Sequence, residues 1–171
     1  LIGNFKNAGR TWRTEADRVL VHDWPQDAIA QAIPYVVYEI TSNTGYMFVG
    51  DCFDTPRFAV DAIRDWWVCE GQKRYRKADR LLILADAGGF NSCRSRVCKA
   101  QLQELSDISE LCITVCHYQR GCSKWNPIEH RLFSHISINW AGIPLRSFDT
   151  MLRYIEGTET ESGLTAYFDR R

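Results

Sequence analysis

Three acidic side chains, Asp23, Asp86 and Glu129, sit where an α/β protein could gather carboxylates around one reactive centre. Asp86 ends the aliphatic run Leu81-Leu82-Ile83-Leu84-Ala85 and is followed by Ala87-Gly88-Gly89. Such a run is too short for a helix and reads as a buried strand, and the carboxyl tip of a strand is where α/β sheets present functional groups. Glu129 lies in Ser123-Lys124-Trp125-Asn126-Pro127-Ile128-Glu129-His130, a loop turning into a helix. Asn126 is its expected N-cap and Pro127 its first helical residue, which puts Glu129 in the opening turn. Asp23 closes Arg18-Val19-Leu20-Val21-His22, predicted to be another strand. Carboxylates are hard oxygen donors, and three of them could hold a pair of divalent cations, Mg²⁺ or Mn²⁺, of the kind that drives phosphoryl transfer.

Each acid also has a plainer reading. Asp86 could cap the following helix or brace the glycine turn, and Glu129 is an acid favoured by the positive end of a helix dipole. Asp27, Glu39, Asp51 and Asp54 compete with Asp23, although Asp54 is more simply part of a helix start with Thr55-Pro56. Cys112, Cys116, His117 and Cys122 raise a zinc site, but Cys112 and Cys116 would stand about 13 Å apart along a strand. That is too far for one tetrahedral ion.

The elements that must position these residues follow in an informative order. Ile33–Ile40 and Tyr46–Gly50 read as strands around the turn cluster Ser42-Asn43-Thr44-Gly45, a hairpin signal. A helix is predicted from Asp54-Thr55-Pro56 to about Glu70, with Phe58, Ile63, Trp66 and Trp67 on its apolar side and the tryptophan pair as core plus half-exposed packing. A basic loop, Lys73 to Arg80, leads into the Asp86 strand, and a helix from Asn91-Ser92 to about Ser106 follows, turning Val97, Leu102 and Leu105 inward. Leu111–Cys116 is a further strand. The Glu129 helix runs to about Trp140, Gly142-Ile143-Pro144 is a break, and Ser147–Glu156 is the last helix. Residues 1 to 14 read as polar and irregular, with Arg10 and Arg13 near Trp12, and residues past Gly157 carry no strong pattern. Three antiparallel strands followed by parallel strands joined through helices give a mixed five-stranded sheet flanked by helices, the order of the ribonuclease H-like fold.

Bulk composition bounds the answer. The 171 residues are most simply one domain, 45% hydrophobic and 25% charged. Twenty-one basic and twenty-one acidic side chains cancel, so net charge neither supports nor excludes a nucleic-acid partner. No apolar run approaches the roughly 20 residues of a membrane helix. The seven cysteines are an odd number, and the expectation is a reduced cytoplasmic setting with most of them buried as small hydrophobes.

These stretches resemble the DDE transposases of bacterial insertion sequences, specifically the Rhodopirellula-type family related to the mariner-like enzymes. The resemblance is carried by Gly3-Asn4-Phe5-Lys6-Asn7, Val21-His22-Asp23, Pro34-Tyr35, Phe58-Ala59-Val60, Arg64-Asp65-Trp66-Trp67, Leu81 to Gly89, Ile113 to Tyr118 and Ser123 to His135. It implies a metal-dependent recombinase that cuts double-stranded DNA at element ends and joins it to a target, self-associating to do so at the bacterial nucleoid. Carried over by position, Asp23, Asp86 and Glu129 are its three acids and the ligands of two Mg²⁺ or Mn²⁺ ions, Asp23 bridging both. Lys124, Arg131, His130 and Arg120 are the expected DNA contacts, with a structural hydrogen bond the alternative for His130. Trp24 after Asp23, and Tyr38-Glu39 in the second strand, depart from the family pattern. Because the chain opens on Leu1, it is expected to be a single catalytic domain (residues 1–171) cut from a longer transposase that carries an N-terminal DNA-binding region. Two rival readings keep the fold: a ribonuclease H-like nuclease that only hydrolyses, and a remnant that binds DNA without cutting it.

Overall fold

The computed structural model describes residues 1–22, 24–50, 55–86, 93–119, 121–160 and 163–170, with the backbone alone at Ser123 and residues 168–170. In chain order the main elements are β1 (Ile33–Glu39), β2 (Thr44–Gly50), α1 (Pro56–Trp66), a π-turn (Trp67–Gly71) and α2 (Gln72–Arg74). Next come β3 (Arg80–Ala85), α3 (Arg96–Ser109) and β4 (Cys112–His117). A second π-turn (Glu129–Phe133) runs into α4 (Ser134–Asn139), followed by α5 (Phe148–Glu156) and β5 (Thr165–Arg170). The chain divides into two compact units, Leu1–Cys52 with Ile128–Arg171, and Phe53–Pro127.

The first unit is built on a three-stranded sheet in the order β1-β2-β5, with β1 and β2 antiparallel and β2 and β5 parallel. The hairpin pairs Ile33 with Gly50 and Glu39 with Thr44. Its turn places Asn43 at φ 54, a left-handed position that asparagine tolerates, and the Tyr38 hydroxyl donates to Asn43 Oδ1 at 2.6 Å. Pro34 is accommodated because β1 is an edge strand. Strand side chains alternate, so Gly45, Met47 and Val49 share one face of β2. Met47 and Val49 on that face join Leu132, Ile136, Met151, Ile155, Leu164 and Ala166 in one buried cluster. Gly45 is required here: a Cβ at this position would stand 2.7 and 2.8 Å from the two Leu132 methyl carbons.

In the second unit α1 and α3 pack together, and β3 pairs in parallel with β4, Arg80 opposite Cys112 and Ala85 opposite His117. Thr55 caps α1, its hydroxyl accepting from the Phe58 amide at 3.2 Å, and Pro56 takes the first helical position as the sequence predicts. Ala59, Val60, Ala62, Ile63 and Trp66 line the buried face. Ser95, not Ser92, caps α3, accepting from the Cys98 amide at 3.2 Å. Asn91 and Ser92 themselves lie outside the described residues.

Several expectations are corrected. Residues 18–22 form no ladder strand: Leu20 makes one isolated bridge to Phe5, and Trp24-Pro25 turns directly into a 3-10 segment at Pro25–Asp27. The place of a third strand beside the hairpin is taken by β5, from the segment that carried no pattern. Among the described residues the strands form a three-stranded and a two-stranded sheet, and the five-stranded sheet is not shown. Val97, expected inward on α3, is exposed. Trp66 and Trp67 are both buried, their rings tilted at 6.0 Å, because the π-turn after Trp66 shifts the helix phase and turns both indoles inward. The six cysteines among the described residues are free but not mainly buried, since Cys69, Cys93, Cys112 and Cys116 are exposed. Burial raises the Cys98 thiol above its ordinary value.

Candidate active site

Asp86 is the first residue past the β3–β4 ladder. The Tyr118 amide donates to the Ala85 carbonyl at 2.9 Å, so the pairing holds up to the residue before the acid. Side chains alternate along β3, with Leu81, Ile83 and Ala85 half-buried and Leu82, Leu84 and Asp86 exposed. The carboxylate therefore emerges into solvent at the carboxyl end of a parallel pair, beside the end of β4 that carries His117.

Glu129 is positioned differently. Pro127 opens its helix as predicted, and Glu129 begins the π-turn, where the Ser134 amide donates to the Glu129 carbonyl five residues back. The wider turn diverts the His130 carbonyl from its usual amide partner, and the Ser134 hydroxyl donates to it at 2.5 Å. Leu132 and Ile136 bury against the sheet and leave Glu129 half-buried and His130 and Arg131 exposed. Such π-turns are uncommon and occur often at functional sites.

Of the remaining predicted residues, Asp23 and Arg120 lie outside the described residues. Asp23 is flanked by His22 and Trp24, whose rings stand 6.2 Å apart. Lys124 is exposed, with its ammonium 5.4 Å from the centroid of the exposed Trp125 ring, a cation–π contact. Asp86 and Lys124 belong to one compact unit, and Glu129, His130 and Arg131 to the other. The basic segment from Lys73 to Arg80 is largely solvated, with Arg74 near Glu70 at 3.8 Å.

One cluster went unnoticed in the sequence. Arg146 donates to Asn4 Oδ1 at 2.8 Å and to Asp17 at 2.7 Å, and Arg13 pairs with the other Asp17 oxygen at 2.9 Å. The Arg146 hydrogen bond, aided by the charges of Arg146 and Arg13, holds the Asp17 carboxyl below its ordinary value. The partners lie 129 residues apart in the chain, so no local pattern could have paired them.

Residues 1–170 match the family described as Rhodopirellula transposase DDE domain. The chain belongs to this family. It is thereby a DDE transposase domain of insertion-sequence type, with a mixed α/β fold. No curated protein and no solved structure matches it.

DDE transposase domains use divalent metal, and the donor chemistry here suits a hard cation: Asp86 and Glu129 both offer carboxylate oxygens from the ends of ordered elements. Among the described residues no three His, Cys, Asp or Glu side chains gather to hold an ion; Asp23, the third acid, is not among them. No helix among the described residues is long and apolar enough to cross a membrane.

Proposed function

We propose that this chain is the catalytic domain of a transposase that cuts DNA strands and joins them to a target, with Asp23, Asp86 and Glu129 as its working carboxylates. The observation that carries this reading is Asp86, the first exposed residue past a parallel ladder in a chain of this family. The three acids would hold two Mg²⁺ or Mn²⁺ ions, whose chemistry at phosphorus is to activate an attacking hydroxyl and to offset charge on the leaving oxygen.

The protein's own part is positioning. Strand β3 fixes where the Asp86 carboxylate emerges, and Leu132, seated over Gly45, fixes the helix that carries Glu129. Lys124, Arg131, His130 and Arg120 contact the DNA backbone, where each added cation raises affinity in a salt-dependent way. A five-stranded ribonuclease H-like sheet is the working arrangement. Support for it comes from the second unit, whose parallel sheet has only two strands among the described residues, fewer than a sheet needs to be stable by itself. The setting is the bacterial cytoplasm, where the substrate DNA lies, and the working complex contains more than one copy.

The test is Mn²⁺-dependent nicking of supercoiled plasmid, and joining of a donor end to it, by the chain and by Asp86→Asn and Glu129→Gln. Both variants are expected to unfold at the parent temperature and to lose about 10³-fold in rate, as expected for removing one pre-positioned charge from a phosphoryl-transfer site. Full activity in either removes that residue from the mechanism. Nicking without joining would favour the nuclease that only hydrolyses, and DNA binding with no metal-dependent cutting the inactive remnant.

A further inference from the structure

The segment read from sequence as irregular is a closed and anchored loop. At its base the Lys6 amide donates to the Leu20 carbonyl and the Leu20 amide to the Asn4 carbonyl, both at 2.8 Å. Asn4 Nδ2 adds a bond to the Arg18 carbonyl at 3.0 Å. Between these ends, Asn7 donates to the Trp140 and Ile143 carbonyls at 3.3 Å, and the Gly142 amide donates to the Ala8 carbonyl at 2.6 Å. Gly142 has φ +71, and a Cβ there would stand 2.8 Å from Arg10 and Thr11 backbone atoms. The Asp17–Arg146–Asn4 bridge clamps the far limb.

This scaffold carries Trp12 at 101% relative exposure, so the whole indole is offered to solvent from an anchored backbone. The loop and the Gly142–Pro144 turn border an open cleft of about 460 Å³ whose charged lining is Lys6, Arg10, Arg13, Glu15 and Asp17, with Trp12 beside them. That is within the range of about 300–1,000 Å³ typical of small-ligand sites. Arg13 is engaged by Asp17, whereas Lys6, Arg10 and Arg18 are exposed and make no ion pair among the described residues. An aromatic face flanked by unneutralised cations is the composition that binds single-stranded nucleic acid, with stacking for a base and charge for its phosphates. An intact duplex hides its base faces, so an unpaired nucleotide is what this arrangement fits.

We propose that the Asn7–Asp17 loop binds an unpaired DNA nucleotide, the base stacked on Trp12 and the adjoining phosphates met by Lys6 and Arg10. The inference rests on the reading of the chain as a DNA-processing domain, but not on its cleavage chemistry. The experiment is fluorescence anisotropy with a labelled oligothymidylate and, separately, a blunt-ended duplex of two fully complementary strands, in EDTA so that no metal-dependent reaction occurs. Trp12→Ala is expected to unfold at the parent temperature and to weaken oligothymidylate binding by about 5- to 150-fold, the worth of one base–aromatic stack. Duplex binding stays within about twofold, and Trp12→Phe recovers most of the loss. Arg10→Gln is expected to lower the salt slope on the single strand by about 0.7. Equal binding of the single strand by parent and Trp12→Ala overturns the proposal, as does a parent that does not bind it. Sedimentation that changes from dimer to monomer in Trp12→Ala, with single-strand binding intact, overturns it in favour of contact between copies. Trp12-dependent binding by a chain that never nicks would instead count against the catalytic reading alone.

Discussion

The contact between Gly45 and Leu132 can be tested as a pair. Leu132 is 1% exposed, and a methyl group at position 45 would sit 2.7 and 2.8 Å from its branch carbons, about 1 Å inside normal contact distance. Gly45→Ala therefore overpacks the centre of the first unit, at about 1–3 kcal/mol. Relief of the glycine's conformational freedom in a strand returns roughly 0.5–1 kcal/mol, leaving a net loss of about 0.5–2 kcal/mol. Leu132→Ala opens a cavity at a cost of about 2–5 kcal/mol. In the double variant the new methyl group meets no branch carbons and fills part of that cavity. Its loss should fall short of the sum of the singles by about 1 kcal/mol or more. Urea unfolding read by tryptophan fluorescence measures all four proteins, with shifts in midpoint at constant slope taken as stability changes. Single losses that add to within about 0.5 kcal/mol would show that the two residues do not press on one another. The account of how the Glu129 helix is seated would then fail.

Three further outcomes follow from other contacts. Asp17 is held below its ordinary 3.8 by Arg146, so the stability this adds is fully present above that pH and fades as pH falls through the depressed native value. The melting-temperature gap between the parent and Arg146→Met should be constant near neutrality and shrink below pH 3.8, keeping only the part due to the Asn4 bond; an unchanged gap in acid refutes the assignment. Thr158 is 2% exposed, donates to the Tyr154 carbonyl at 2.7 Å and accepts from Asn139 Nδ2 at 3.2 Å. Thr158→Val keeps the shape and removes both bonds, while Asn139 Nδ2 still donates to the Tyr154 carbonyl at 2.6 Å and leaves neither partner stranded, so calorimetry should find a loss of about 0.5–1.5 kcal/mol; a loss below about 0.3 kcal/mol is inconsistent with the bonds. Gly142→Ala combines a left-handed backbone with a clash against Arg10 and Thr11, and should speed proteolysis within residues 7–17 while global unfolding moves by only about 1–3 kcal/mol. A parent-like cleavage pattern would contradict the pinning of the loop.

Local chemistry made much of the chain legible before any coordinates. Thr55-Pro56 starts α1 because a hydroxyl acceptor and a fixed φ act on the next three residues, and Ser147 starts α5 through its hydroxyl, which accepts from the Thr150 amide. The aliphatic runs of β3 and β4 declare themselves as strands and so fix Asp86 at a strand tip, while Pro127 fixes Glu129 at a helix entrance. The family block from Ser123 to His135 pointed to the chemistry. What sequence could not decide depends on partners distant in the chain. β5 is a strand because β2 accepts it, whereas residues 18–22, with comparable propensity, have only Phe5 to pair with. The anchored Trp12 loop exists because Arg146 and Gly142 reach it from more than a hundred residues away. Capping, periodicity and turn geometry act over three or four residues and are written in order along the chain. Strand pairing, burial and long-range ion pairs are set by which surfaces meet, and only the folded chain brings them together.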